Sequence, residues 1–285
     1  MWIVKDITVE EKGCAKINLA LHVTGVKEDG YHILDSIVIF TDIFDTLSFK
    51  KNRKNVLTLT GEFSKSLNIK TNSIIQALNL FENVLTDHFY IHLEKNLPLG
   101  AGLGGGSADA AAVIRFITNY CRLPMPSPKA ISKIGADVPA CVSSLASRVG
   151  GIGEIIKPID ISEIDLWIVL VNPRIIVATG SVFEEVIEKH NQPLEPFTHF
   201  RKTEQFVEYL KLQRNDLQSI AANKWPEIKD VLDTIEQTQD VLLSRMSGSG
   251  STCFGLYRTQ DIAKRAVSYL HKKSNNWWIK FSKVN

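Results

Sequence analysis

The sequence predicts a mixed α+β chain in two domains, and three observations point there. Strand-like patterning dominates the first hundred residues. A glycine run then joins a strand to an alanine-rich helix. Beyond about residue 160, amphipathic helical segments alternate with short apolar strands. We therefore expect one domain over residues 1–160 and a second over 161–285.

The elements follow in order. Residues 15–24 (AKINLALHVT) alternate loosely and end at Gly25; residues 33–40 are rich in Ile and Val. Residues 46–49 and 56–60 flank KKNRKN, which reads as a polar hairpin tip. Residues 71–85 carry apolar side chains at helical spacing, with Thr71 or Asn72 as N-cap. A short strand at 89–94 leads into the glycines, and residues 107–121 form the alanine-rich helix. LPMPSP at 123–128 stops it, because proline lacks an amide donor. Residues 129–144 hold another helical piece that includes Asp137, and Gly150, Gly151 and Gly153 make a turn. WIVLV at 167–171 is a buried strand. Helices are expected at 179–190, 202–212, 225–237 and 260–271, with strands at 241–244, 253–257 and 277–281.

Composition narrows the function classes. Of 285 residues, 44% are hydrophobic and 22% charged, ordinary for a soluble domain. The net charge of +2 is too balanced for a dedicated nucleic-acid binder. Charges at Lys5, Asp6, Glu10, Glu11 and Lys12 break up any secretory leader, and no run approaches the roughly 20 apolar residues that span a bilayer. No membrane partner is expected. Cys14, Cys121, Cys141 and Cys253 are scattered without metal spacing and read as free thiols in a reducing cytoplasm.

The most informative stretch is LPLGAGLGGGSADAAAV, residues 97–113. Gly100, Gly102, Gly104, Gly105 and Gly106 let the backbone approach a ligand closely. Free amides at the following helix start, aided by the helix dipole, make an anion site. Ser107 adds a hydroxyl there, suited to a phosphate or to Mg²⁺. The bland reading is a flexible turn with Ser107 as a plain N-cap.

Gly100, Gly102 and Gly105 match GxGxxG, but a dinucleotide fold wants an acidic residue about 20 positions on. After Asp109 the next acidic residue is Asp137. No lysine follows the glycines, so GxxxxGK[ST] is absent as well. The loop must find cations elsewhere, with Lys95 and Mg²⁺ as candidates. A second small-residue turn, SGSGS at 247–251, either closes on the same ligands or is a tight β-turn.

Three separated segments together resemble the motifs of the GHMP kinases: AKINLALHVTGVKEDGYH (15–32), PLGAGLGGGSADAA (98–111) and RMSGSGSTCF (245–254). With GADVPA at 135–140, the combination is similar to the branch that phosphorylates the 2-hydroxyl of 4-diphosphocytidyl-2-C-methyl-D-erythritol, a step of non-mevalonate isoprenoid precursor synthesis. The resemblance implies a two-domain GHMP kinase fold, with an N-terminal domain like ribosomal protein S5 domain 2 and a ferredoxin-like C-terminal domain. It implies ATP and Mg²⁺ as cofactors, a small-molecule substrate, no nucleic-acid partner, and a cytoplasmic monomer or homodimer.

Roles carry over by position. Lys16 and Asp137 match the catalytic pair. Asn18 matches a residue near the substrate diol, and Tyr31 and His32 match the cytosine-binding pair. Thr179 and Phe183 match the opposite wall. Asn72 and Lys95 match residues near the nucleotide base. The phosphate loop is Pro98, Leu99, Gly100, Ala101, Gly102, Leu103, Gly104, Gly105, Gly106, Ser107 and Ala108. Two stretches depart from the pattern: residues 121–135 are short, and 173–183 lack a proline often found beside the matched threonine.

Without the resemblance, Lys16 would read as a strand-edge lysine and Asp137 as a turn residue. Homoserine or mevalonate kinases are the nearest rivals, and DGYH argues against them because their substrates carry no cytosine. A non-catalytic RNA-binding module is the rival from another class, and the near-neutral charge argues against it.

Overall fold

The computed structural model describes residues 8–68 and 72–284. They form two compact units. The first comprises residues up to Ala15, Phe44–Leu99 and Gly104–Ser143; the second comprises Lys16–Ile43, Gly100–Leu103 and the chain from Ser144 onward. Residue 160, where composition shifts, falls inside the second unit.

Two long strands, β1 (Val9–Val26) and β2 (His32–Asn52), lend residues to both units. In the first unit the end of β2 pairs antiparallel with β4 (His88–Glu94), with Phe49 opposite Ile91. The strand β3 (Val56–Thr60) does not fold back on β2 as the polar tip suggested. It lies on the far side of β4, parallel to it. Consecutive strands are neighbours only roughly two-thirds of the time, and alternation in one strand carries no label for its partner.

The helix α1 (Ser73–Asn79) is half as long as its apolar pattern and starts at Asn72, whose side chain caps the Ile74 amide at 2.9 Å. The alternative cap, Thr71, lies outside the described residues. The long helix α2 (Gly105–Tyr120) is buried along Ala108–Ile114, where alanines permit close approach of neighbouring backbone. Phe116 stacks on Phe49 with ring centroids 3.9 Å apart. The expected helical piece near Asp137 divides into α3 (Pro128–Ile131), with Pro128 in its first turn, and α4 (Val138–Ser143).

In the second unit, β5 (Ser147–Gly151) and β6 (Ile155–Pro158) form a hairpin, and β5 pairs with the start of β2. A four-stranded antiparallel sheet follows. Its order is β10 (Trp278–Lys283), β7 (Trp167–Asn172), β9 (Cys253–Tyr257) and β8 (Leu243–Met246). The expected helix at 179–190 is one turn, α5 (Thr179–Phe183). After it come α6 (Thr203–Leu212), α7 (Gln218–Lys224), α8 (Pro226–Glu236) and α9 (Gln260–Lys273). The apolar stripe of α8, Ile228, Val231, Leu232 and Ile235, packs with Val169, Val171 and Tyr257 of the sheet. Each such fully buried aliphatic side chain contributes roughly 1.5–3 kcal/mol. Sequence patterning missed only α7 among these helices, a short segment with little apolar periodicity.

Candidate active site

In the first unit, Gly104 sits in the left-handed region at φ 61° and starts α2 with no capping side chain. Its carbonyl accepts from the Ala108 amide. The helix's leading amides are therefore not claimed by a side-chain cap, and an anion can take them. No acidic residue stands in the first turn to oppose it.

The loop's entry and exit are tied beneath it. Lys95 is 1% exposed, and its ammonium lies 2.5 Å from Asp45 and 2.6 Å from Asp109. The other oxygen of Asp45 accepts from the amides of Asn96 and Leu97, the residues entering the loop. Asp109 belongs to the helix leaving it. Burial pushes the Asp109 carboxyl up to about 7, opposed by Lys95. Burial also pulls on Lys95, but the two carboxylates outweigh it and its pKa ends raised.

These contacts bear on two expectations. The Lys95 side chain is not displayed to a nucleotide; it is held under the loop, 3.2 Å from where a Cβ on Gly105 would stand. The Asn72 side-chain oxygen is engaged as a helix cap. Any role of either at the base must therefore leave these bonds in place.

Asp137 is placed by α4. Its carbonyl accepts from the Cys141 amide, so it stands at the helix start, half-buried. Val138, Pro139, Ala140 and Cys141 are buried behind it. Arg115 of α2 fixes α4 by donating to the Cys141 carbonyl at 2.9 Å, and it also binds Glu11 and the Lys12 carbonyl. The Ser107 hydroxyl lies 3.3 Å from the Cβ position of Gly135, which brings the α2 start beside the turn that carries Asp137.

In the second unit, residues 100–103 rest on the SGSGS turn. The Thr252 amide donates to the Ala101 carbonyl at 3.0 Å, and the Ser247 hydroxyl to the Gly102 carbonyl at 2.8 Å. Gly102 has φ 70°, and a Cβ there would stand 2.1 Å from the Ser247 carbonyl oxygen. Only glycine fits this approach. The two readings of SGSGS thus resolve into a third: it braces the glycine loop. Ala101 and Leu103 anchor the loop in the interior, 3% and 1% exposed, with half-buried Gly102 between them.

Lys16 and Asn18 lie on β1, buried, and the Lys16 amide donates to the Leu103 carbonyl. Asn18 donates from its side chain to Ser36 at 2.8 Å, and its amide N–H reaches the Ser247 hydroxyl. Its side-chain oxygen is buried without a partner, an acceptor aimed at nothing in the protein. Tyr31 is 61% exposed on the turn after β1. His32 packs against Phe183 with ring centroids 5.1 Å apart, and its Nε2 is likewise buried without a partner. Burial, and then Lys189, lower its pKa, so the ring is neutral near pH 7. The Thr179 hydroxyl pairs with that of Ser249 at 3.0 Å. The structure thus gathers His32 and Phe183 at one place and Asn18, Ser247 and Gly102 at another.

Arg245, just before the SGSGS turn, is 6% exposed and donates to the carbonyls of Leu19, Leu210 and Gln213. Burial lowers its pKa to about 10. It ties two motifs together and does not reach outward. Sequence reading also passed over Gln213–Asp216, whose backbone pairs with Leu21. That segment has no glycine run or motif spacing to mark it.

Residues 72–151 match the GHMP kinases N terminal domain, and residues 201–276 match the GHMP kinases C terminal domain. A relative from Cereibacter sphaeroides, named 4-diphosphocytidyl-2-C-methyl-D-erythritol kinase, is 37% identical over 93% of this chain and 95% of its own. One of the same name from Rhizobium johnstonii is 40% identical over 95% of this chain and 92% of its own. A crystal structure of 4-(cytidine 5′-diphospho)-2C-methyl-D-erythritol kinase superposes with a TM-score of 0.77 at 28% identity, covering 97% of this chain and 99% of that one. Homoserine kinase from Cytophaga hutchinsonii shares the fold at a TM-score of 0.65 and 14% identity, over 100% of this chain and 96% of its own. With domain models covering both parts and near full-length relatives at such identity, this chain belongs to the GHMP kinase family.

Proposed function

We propose that this chain is an ATP-dependent kinase that phosphorylates the 2-hydroxyl of 4-diphosphocytidyl-2-C-methyl-D-erythritol, in the formation of isoprenoid precursors. The observation that carries the substrate choice is His32. Its ring is neutral, seated on Phe183, with a buried Nε2 that has no protein partner. A base edge offers such a nitrogen its missing hydrogen bond, and exposed Tyr31 next to it offers a face for stacking. Homoserine and mevalonate would leave both unused.

The phosphates of ATP lie on the residues from Pro98 to Ala108, taking the α2 amides in place of a lysine. Mg²⁺ fits this loop as part of the nucleotide complex: Ser107 offers one hard oxygen at the helix start, and the phosphates supply others. Bound there, the ion would neutralise phosphate charge. By their match to the kinase motifs, Asp137 takes the proton of the attacking hydroxyl and Lys16 supplies positive charge to the transferring group. Asn18 accepts from the substrate diol through its open side-chain oxygen. Thr179 and Phe183 form the wall beside the base. Among the described residues no helix is long and apolar enough to cross a membrane, and a water-soluble substrate pair suits a cytoplasmic enzyme.

The test is a panel. The protein is incubated with Mg·ATP and, separately, the cytidylylated methylerythritol, mevalonate, homoserine and galactose. ADP release with the first alone supports the reading; release with another member instead overturns it.

A further inference from the structure

We propose that Asn215 is a positioning residue for the phosphoryl transfer. Its amide fixes the backbone at Gly248, and Gly248 in turn fixes how Asn18 meets the substrate diol. The inference rests on the reading of Asn18 given above.

Asn215 is 7% exposed. Its side-chain nitrogen donates to the carbonyls of Met246 and Gly248, both at 2.8 Å, and its oxygen accepts from the Leu217 amide at 3.0 Å. This pattern sets the orientation of the amide. Turned over, it would press an oxygen against two carbonyl oxygens and an NH₂ against an N–H.

The residue's own base is rigid. On either side of it, the Arg214 carbonyl accepts from the Leu21 amide, and the Asp216 amide donates to the Leu21 carbonyl, both at 2.9 Å. Asn215 is therefore pinned to β1, the strand that carries Asn18, while its side chain holds the turn facing that residue.

The turn is close. A Cβ on Gly248 would stand 3.2 Å from the Asn18 side-chain oxygen. On its other side the Asn18 nitrogen is bound to Ser36, whose hydroxyl is held by the Ala20 carbonyl at 2.6 Å. The Asn18 amide is thus confined between Ser36 and Gly248, with only its oxygen unmatched. If Gly248 shifts, that oxygen gains room to swing. The hydrogen bonds to the glycine loop come from the Ser247 hydroxyl and the Thr252 amide, not from Asn215, although Gly248 also lies beside Gly102, with a Cβ position 3.3 Å from its carbonyl oxygen.

The test is a double-mutant cycle on kcat/KM for the cytidylylated substrate, with KM for ATP measured alongside. Asn215→Asp keeps the size but sets an oxygen against two carbonyls. It should lower kcat/KM about 10- to 100-fold, the scale of a misplaced group, while KM for ATP stays within about threefold. In an Asn18→Ala background the same change should cost less than about threefold, because its route of action is gone. If Asn215→Asp does not fold, Asn215→Ser enters the same cycle. Losses that multiply in the double variant, or an ATP KM that rises in step with the substrate KM, overturn the proposal and leave the reading of Asn18 intact. An Asn18→Ala enzyme as active as the wild type overturns that reading and the proposal with it.

Discussion

The Lys95 ammonium lies 2.6 Å from an oxygen of Asp109, and neither side chain is open to water. Asp45 completes the cluster from β2 and ties down the strand entering the phosphate loop. Lys95→Met would leave two carboxylates buried side by side. We expect a loss of roughly 3–5 kcal/mol, the scale for breaking a buried pair, read as a lower urea midpoint. Adding Asp45→Asn and Asp109→Asn should restore much of it. An unchanged midpoint for Lys95→Met would show that the cluster does not hold the loop.

Gly102 separates loop geometry from glycine content. Gly102→Ala places a methyl 2.1 Å from the Ser247 carbonyl, at positive φ. It should weaken ATP binding at least about tenfold, since the loop must move from its bed. Gly180→Ala, where nothing lies within 4 Å of the new methyl, should leave affinity unchanged. Titration with ATP decides; equal affinities for both variants would contradict the loop assignment.

The sequence made these glycines legible but not their reason. Five glycines before an alanine-rich helix announce close backbone approach, and the structure places that approach, at Gly102, against Ser247. Most strands and helices also read correctly, because apolar period is written locally. What stayed hidden is pairing at long range. Nothing in VLTLT says that it joins β4 in parallel, and nothing in QRND says that it pairs with Leu21 and holds the turn at Gly248. Lys95 shows the same limit: a lysine beside a phosphate loop suggests a phosphate contact, and nothing local says that Asp45, fifty residues away, lies against it.

His22 offers a pH test of the second unit. It is 1% exposed, with Nδ1 against the Gln192 carbonyl and Nε2 accepting from the Arg214 amide. Burial lowers its pKa below 6.5; Arg214 lowers it further, while the Gln192 carbonyl, Asp216 and Asp35 pull the other way. As pH falls, the unfolded chain therefore takes up this proton first. Stability is full above that value and declines as pH drops through it toward the lowered folded value. His22→Gln should flatten the fall in thermal midpoint between about pH 7 and about pH 5. An equally steep fall would place the titrating group elsewhere.

Tyr31 separates recognition from folding. At 61% exposure it supports little packing, so Tyr31→Ala should leave the thermal midpoint nearly unchanged. Stacking on a base is worth roughly 1–3 kcal/mol, so KM for the cytidylylated substrate should rise several-fold or more while KM for ATP holds. If both constants move together, Tyr31 does not face the base.

Asp137→Asn should keep the fold and ATP affinity and lower kcat by roughly 10² or more, the scale of a lost general base. Near-normal turnover in a folded variant would remove Asp137 from the chemistry.

The most direct measurement follows the product. With Mg·ATP, the protein is given the cytidylylated methylerythritol in one vessel and methylerythritol phosphate, with the same diol but no cytidine, in another, and new phosphate monoester is located by phosphorus NMR. A site built to bond a base rejects a substrate lacking it, because its polar groups are stranded. The account predicts a monoester on the 2-hydroxyl of the first compound and little turnover of the second. Equal phosphorylation of both, or a phosphate on another hydroxyl, would contradict it.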